Sequence, residues 1–397
     1  MITVEQADRI ILTELRDYGT ELVPFEEALG RVLAQNIVAD RDLPPFNRAT
    51  MDGIAIGFEA FSNGLRTFEI EGTQAAGDTP LDIQNGTECI EIMTGAALSS
   101  TVDTVIRYED VEIAGGKAVV TVNSISKGQN IHLKGKDKKQ DDVVASAGQK
   151  VTPAIVGLAA SVGALELLVK KLPKVLIISS GDELVDVSDT PADYQIRRSN
   201  SYTVKAALSR IGLQADILHV PDNPVIIKQQ LLYSLQSYDV LLLSGGVSMG
   251  KFDYIPKALA ELEVTQLFHK VQQRPGKPFW FGTHADGALV FAFPGNPVAT
   301  FMCMRRYFLP WLNAVLGLPN VKSFYAILSQ DISFLQPLTY FLQVKLSFSE
   351  DGRMLAIPLE GNGSGDFANL ADTDAFMELP AEKNNFKAGE VFRVWQF

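Results

Sequence analysis

From Pro173 onward the chain alternates apolar runs with amphipathic ones, and no other feature restricts its folding as much. KVLIISS and YDVLLLSGG are apolar almost throughout, and ADILHV is a third strand-like run. SNSYTVKAALSRIG, PVIIKQQLLYSLQ and IPKALAEL carry helical spacing between and after them. A strand that is apolar on both faces must be covered on both, which crossover helices achieve in a parallel sheet. The expectation is a doubly wound α/β domain over residues 173–318. It takes in two further apolar runs, KPFWFGT and ALVFAF, and a helix opening at Asn296-Pro297.

The flanking segments read differently. Thr3 is placed to cap a helix with Val4, Ala7, Ile11 and Leu15 on one face, and EEALGRVLAQNI has the spacing of a second short helix. RDLPPFNRAT carries consecutive prolines, which oppose helix, and leads into short strand-like runs with a hairpin expected at Ala114-Gly115-Gly116. TPAIVGLAASVG has Thr152 at N-cap, Pro153 at the first helical position and Gly163 past the end, so it predicts a helix packing back on the N-terminal pair. Beyond residue 319 short strand-like segments return. A chain of 397 residues suits roughly two to four domains. The expected division is a discontinuous helical and extended N-terminal domain (1–42 plus 141–172), an inserted small β domain (43–140), the α/β domain (173–318) and a C-terminal β-barrel-like domain (319–397).

Charge and cysteine content narrow the function classes. Lys and Arg total 35 against 47 Asp and Glu, a net charge of −12, which repels nucleic acid and anionic membrane. Cys89 and Cys303 are the only cysteines, without disulfide or zinc spacing, as suits a reducing cytoplasm. The N-terminus lacks a basic, then apolar, leader pattern, and the most apolar stretch, Val156 to Val169, is interrupted by Ser161 and Glu166. A cytoplasmic protein is expected.

In an open α/β sheet, ligands bind where loops leave the carboxyl ends of strands, and three such loops here are rich in glycine and polar residues. SSGDELV offers Asp182 and Glu183, although a plain Gly-Asp turn accounts for it equally well. SGGVSMGKFDY brings Ser244, Gly245, Gly246, Ser248 and Gly250, whose backbone N–H groups can wrap an anion, and then Asp253, by itself an ordinary helix cap. Gly245 to Lys251 nearly matches a P-loop, but Phe252 stands where Ser or Thr would hold Mg²⁺, which rules out that class. QQRPGKP and FPGNP form the third region, with Lys270, Arg274, Lys277, Pro294, Asn296 and Pro297 as an oxyanion clamp. A carboxylate 4 Å from a phosphate charge repels it by about 4 kcal/mol at an effective dielectric near 20. A divalent cation between them removes that conflict, and hard oxygen ligands without a Cys/His cluster point to Mg²⁺. His132, His219, His269 and His284 read as surface or structural residues.

The ordered series PPFNRATMDGIAI, EIMTGA, SSGDEL, RRSN, PDNP, SGGVSMGKFDY, RPGKP and FPGNPVAT, followed by GNGSGDFANLADTDAF, closely resembles the molybdopterin molybdenumtransferase family, which includes the gephyrin E domain. The resemblance spans roughly residues 3 to 397. It implies a Mg²⁺-dependent enzyme that inserts molybdate into adenylylated molybdopterin and releases AMP, the last step of molybdenum cofactor synthesis. It also implies a homodimer whose cleft lies between one subunit's central domain and the other's small β domain. By motif match, Glu183, Asp222 and Asp253 surround metal and molybdate, and Lys270, Arg274 and Lys277 hold anionic groups. Asp52, Thr94 and Asp137 come from the small domain, with Asp141 or Asp142 as alternatives to Asp137, since KGKDKKQDDVVASAG departs from the family pattern there. Arg274 stands where many relatives carry lysine, and activity is expected to survive this. The alternatives are a tungstate-specific paralogue and a non-catalytic scaffold of the gephyrin type. A molybdopterin adenylyltransferase is a candidate partner; its own activity is disfavoured here by the additional domains.

Overall fold

A computed structural model describes residues 1–397 except 248–253, 319–322, 360, 362 and 364. At its centre is a six-stranded sheet in the order 215–220, 175–180, 240–244, 289–293, 280–283, 265–269. The first four strands are mutually parallel, whereas Trp280–Thr283 runs antiparallel to both of its neighbours. The apolar runs KPFWFGT and ALVFAF therefore form a hairpin at one side of the sheet and not a continuation of the parallel series. A short connection of the kind joining them permits an antiparallel return but not a crossover.

Burial on both faces explains the apolar strands. Val175 and Ile177 face a core that also holds Val204 and Leu208 of the helix Asn200–Ser209, while Leu176 and Ile178 face Ile227, Leu231 and Leu235 of the helix Pro224–Ser237. In that second helix Asn223 accepts backbone hydrogen bonds from Val225 and Ile226, and Pro224 occupies the first turn, so its start follows directly from the sequence. Burying each such leucine stabilises the fold by roughly 1.5–3 kcal/mol.

The opening helix, Val4–Thr13, has a complete capping box between Thr3 and Gln6. Its buried face, Val4, Ala7 and Ile11, joins the core of the central sheet. The second helix expected in EEALGRVLAQNI does not form. Only Phe25–Glu27 is helical, as a single 3-10 turn, and Val32 and Leu33 make β-bridges to Lys150 and Val169. Apolar residues at helical spacing are outweighed there by Gly30, at φ +81°, and by backbone partners supplied from residues 149–170. The helix Pro153–Ser161 forms with the expected Thr152 cap, and packs against this non-helical segment around Ala28, Leu33 and Ile37.

The small β unit is a six-stranded sheet in the order 104–107, 53–56, 88–92, 67–74, 117–120, 111–114. Its last two strands are joined at Gly115-Gly116, the expected hairpin. At the other end of the chain, strands 339–348, 354–358, 324–328, 391–396 and 375–379 close into a barrel, because 339–348 pairs with 354–358 on one side and with 375–379 on the other. Gln273–Arg274 adds to this barrel as a parallel edge strand beside Thr339–Tyr340, so the RPGKP turn joins the two domains. A second link is Arg306, only 4 % exposed: its guanidinium grips the Asp8 carboxylate at 2.6 and 2.8 Å, pairs with Glu378 at 3.3 Å and lies over the Trp395 ring.

Candidate active site

The carboxyl ends of the four parallel strands lie side by side, so the loops that follow them meet at one edge. Pro221–Asp222 follows the outer strand, Gly181–Glu183 the next, Gly245–Val247 the third and Pro294–Asn296 the fourth. The loop holding Lys270, Arg274 and Lys277 leaves at the same edge, because its strand, Thr265–His269, runs parallel to Leu289–Phe293 through the hairpin between them. The three loop regions singled out in the sequence thus converge.

Two of these loops are fastened together by a residue the sequence reading passed over. Asn200, the last residue of RRSN, donates through Nδ2 to Ser244 Oγ at 2.9 Å and to the Gly295 carbonyl at 2.6 Å, and lies 3.3 Å from Thr300 Oγ1. Thr300 in turn donates to the Pro294 carbonyl at 2.6 Å and lies 3.2 Å from Ser244 Oγ. The Asn200 Oδ1 atom is buried without a partner among the described residues. The motif had been noted as a whole; nothing in its local pattern distinguished the asparagine that crosses from helix to loops.

Gly246, at φ +68°, sits where a Cβ would come 2.5 Å from Ile255 Cδ1 and 2.8 Å from Ser180 Oγ, so glycine alone fits. His269, expected to be merely structural, bonds through Nε2 to the Val247 carbonyl at 3.1 Å and ties the neighbouring strand to this loop. The helical run from Pro297, passing through a π-turn at 304–308 and ending at Val315, begins beside it. The backbone N–H groups of its first turn favour an anion. Ser248, Gly250 and Asp253 lie outside the described residues.

The acidic side of the edge is formed by two adjoining loops. Asp182 accepts the backbone N–H of Asp222 at 3.0 Å, and the Glu183 carboxylate folds back over Gly181, where any Cβ would collide with it. His219, at the end of the same outer strand, lies 3.3 Å from Ser179 Oγ. Burial, reinforced by the nearby Arg198 charge, lowers its pKa below the ordinary imidazole value. Among the described residues no group of three or more Asp, Glu, His or Cys side chains is arranged to hold a metal ion. Glu183 and Asp222 do match the one or two carboxylates that Mg²⁺ takes when phosphate oxygens and water complete its shell.

The cationic side belongs to the RPGKP turn. Arg274 and Lys277 are exposed, and Lys270 has a positive φ of +72°. The turn is held from below by the buried Gln273, whose amide donates to the Gly276 carbonyl at 3.0 Å and accepts from the Tyr307 hydroxyl. Arg274 also lines a cleft of about 270 Å³ against Tyr340, Gly361 and Gly363, so the barrel forms one wall of the region.

The remaining candidates lie in the small β unit. Asp52 accepts both the backbone N–H of Thr94, at 2.6 Å, and its hydroxyl, at 2.7 Å, and these bonds hold its carboxyl below the usual range. Gly53 lets this turn press against the next strand, since a Cβ there would strike the Ile106 carbonyl. Asp137 Oδ1 lies 2.9 Å from His132 Nε2, and His132 Nδ1 lies 3.3 Å from Arg48. Asp141, at φ +68°, donates its N–H to the Ala39 carbonyl, and Asp142 caps Lys139. Both make turn contacts, whereas Asp137 alone of the three engages a titratable side chain. No hydrogen bond or salt bridge between described residues joins Asp52, Thr94 or Asp137 to the central loops.

The full length of the chain has counterparts among known proteins. Residues 2–163 match the MoeA N-terminal region (domain I and II), 176–314 a probable molybdopterin binding domain, and 325–397 the MoeA C-terminal region (domain IV). A molybdopterin molybdenumtransferase of Synechocystis is 37% identical over 395 residues, covering 99% of both chains. One from Staphylococcus epidermidis is 30% identical, covering 99% of this chain and 95% of the relative. The crystal structure of a molybdopterin biosynthesis MoeA protein from Pyrococcus horikoshii superposes with a TM-score of 0.82 at 27% identity, over 100% of this chain and 99% of that one. A molybdenum cofactor biosynthesis protein from Pyrococcus furiosus, at 21% identity and a TM-score of 0.60, shares the fold. With the three matched regions in this order and full-length identity at this level, the chain belongs to the molybdopterin molybdenumtransferase (MoeA) family.

Proposed function

We propose that this protein inserts molybdate into adenylylated molybdopterin and releases AMP, as the closing step of molybdenum cofactor synthesis. The observation that carries this reading is the single sheet edge where carboxylates, an anion-wrapping glycine loop and a cationic turn meet. A substrate with both a phosphate-linked nucleotide and an oxyanion to deliver needs all three.

The roles follow from the chemistry of each group. Ser244, Gly245 and Gly246, with Gly295 and Asn296 opposite, present backbone and hydroxyl groups that orient the phosphate, in a loop pair pre-set by Asn200. Lys270, Arg274 and Lys277 neutralise anionic charge of molybdate and pterin phosphate. Glu183 and Asp222, with Asp253, would hold Mg²⁺, which when bound would offset charge developing on the cleaved phosphate. Asp52, kept ionised by Thr94, and Asp137, beside His132, complete the site from a second subunit. That dimeric arrangement is supported by the lack, among the described residues, of any hydrogen bond or salt bridge joining the two residue sets within one chain. A cytoplasmic location suits the free thiols of Cys89 and Cys303, both buried. No described helix is long and apolar enough to cross a membrane.

The test is AMP release from adenylylated molybdopterin and Mg²⁺, with molybdate, tungstate or neither. Molybdate-stimulated release is the expected outcome. Equal release without oxyanion, or none from a folded dimer, would overturn the reading, and stimulation by tungstate alone would assign a tungstate-specific enzyme.

A further inference from the structure

A spacious cleft lies away from the site just considered. It encloses about 840 Å³ where the helix Asn200–Ser209, the helical run from Pro297 and the C-terminal barrel's short helix Phe367–Ala371 meet. None of the proposed catalytic or substrate-binding residues lines it.

Its walls combine two chemistries. Phe301 and Phe367 form an apolar side, and Thr203 and Thr373 bring hydroxyl groups. The charged side chains are Arg210, exposed at the rim, and Arg305, half-buried; among the described residues no aspartate or glutamate lines the cleft, and Phe397, the last residue, brings its α-carboxylate near one wall. Neither arginine forms a salt bridge with any described residue. The Nε atom of Arg305 is enclosed without a hydrogen-bond partner among the described residues. Desolvation lowers the Arg305 pKa to about 10, and the like charge of Arg210 acts in the same direction.

A guanidinium withdrawn from water and facing another cation is costly unless an anion joins it. Arginine is also suited to that anion, because its planar fork grips carboxylate and phosphate groups through paired N–H donors. We propose that this cleft binds a small organic anion, its phosphate or carboxylate head between Arg210 and Arg305 and its flat apolar body against Phe301 and Phe367. It is a second ligand site, set apart from the sheet edge and formed jointly by the central domain and the barrel.

Calorimetric titration of the full-length protein with inorganic phosphate, phenyl phosphate and benzoate tests this. Phenyl phosphate is expected to bind roughly tenfold more tightly than inorganic phosphate, the increment a ring contact supplies. Benzoate in place of phenyl phosphate separates a carboxylate-selective from a phosphate-selective head group. Binding of the aromatic anion is lost in Arg305→Met and weakened in Arg210→Met, whose exposed side chain puts folding at little risk. It persists in Lys277→Ala, which alters the other cationic region. Unchanged binding in both arginine variants, loss in Lys277→Ala instead, or no binding by the wild-type protein would each overturn the proposal.

Discussion

The two sets of candidate residues are built on opposite plans. At the central sheet's edge the loops are cross-tied before any ligand arrives: Asn200 bonds to Ser244 and Gly295, Thr300 to Pro294, and His269 to Val247. In the small β unit, Asp52 and Thr94 bond mainly to each other and face solvent. A rigid half and an exposed half fit a cleft assembled from two chains, in which one surface sets the geometry and the other closes over it.

The sharpest way to break this comparison is mixing. Glu183→Gln and Asp52→Asn are each expected to abolish turnover, with Asp52→Asn changing the melting temperature little because its exposed side chain can still accept both Thr94 bonds through Oδ1. If the halves belong to different subunits, randomly mixed dimers of the two variants regain about a quarter of wild-type activity, since half the dimers are mixed and each restores one of two sites. No recovery in dimers shown to have exchanged would place both halves of the site in one chain.

A smaller effect is expected from Gly246→Ala. Its methyl group meets Ile255 and Ser180 in a left-handed backbone, at a cost of about 1–3 kcal/mol measurable by denaturant unfolding, together with weakened nucleotide binding. Asn200→Ala removes the tie between loops and should cost roughly 1 kcal/mol, but lower kcat by a larger factor than that stability loss suggests. Equal losses in kcat and stability would make Asn200 merely structural.

The smallest effect concerns pH. Because the folded-state pKa of His219 is lowered by burial, the unfolded chain takes up the proton first, so this residue's contribution to stability is present above pH ~6.5 and is lost as pH falls below it. His219→Gln should flatten the decline in melting temperature between about pH 7 and pH 5.5; an unchanged slope would assign that decline to other groups.

Much of the architecture was legible where local and long-range preferences agree. The Thr3 and Thr152 caps each mark a helix that forms, and the doubly apolar strands could be stable only between two helical layers. EEALGRVLAQNI misled because its spacing is helical while its bonding partners lie far along the chain, at residues 149–170. The antiparallel turn at Trp280–Thr283 was likewise invisible, since an apolar strand reads alike in either direction.

The sequence by itself determined which residue types could bind an anion and a hard cation, because glycine loops, Lys/Arg and carboxylates carry that chemistry wherever they sit. It also determined the order of the domains, through caps and patterns that act over a few residues. Only the tertiary structure decided that Asn200 joins the Ser244 and Gly295 loops, that Gln273–Arg274 serves the barrel as a strand, and that Arg210 and Arg305 share a cleft with Phe301 and Phe367. Each of these depends on contacts between distant segments, whose meeting is set by packing of the whole core and leaves no local signature in the chain.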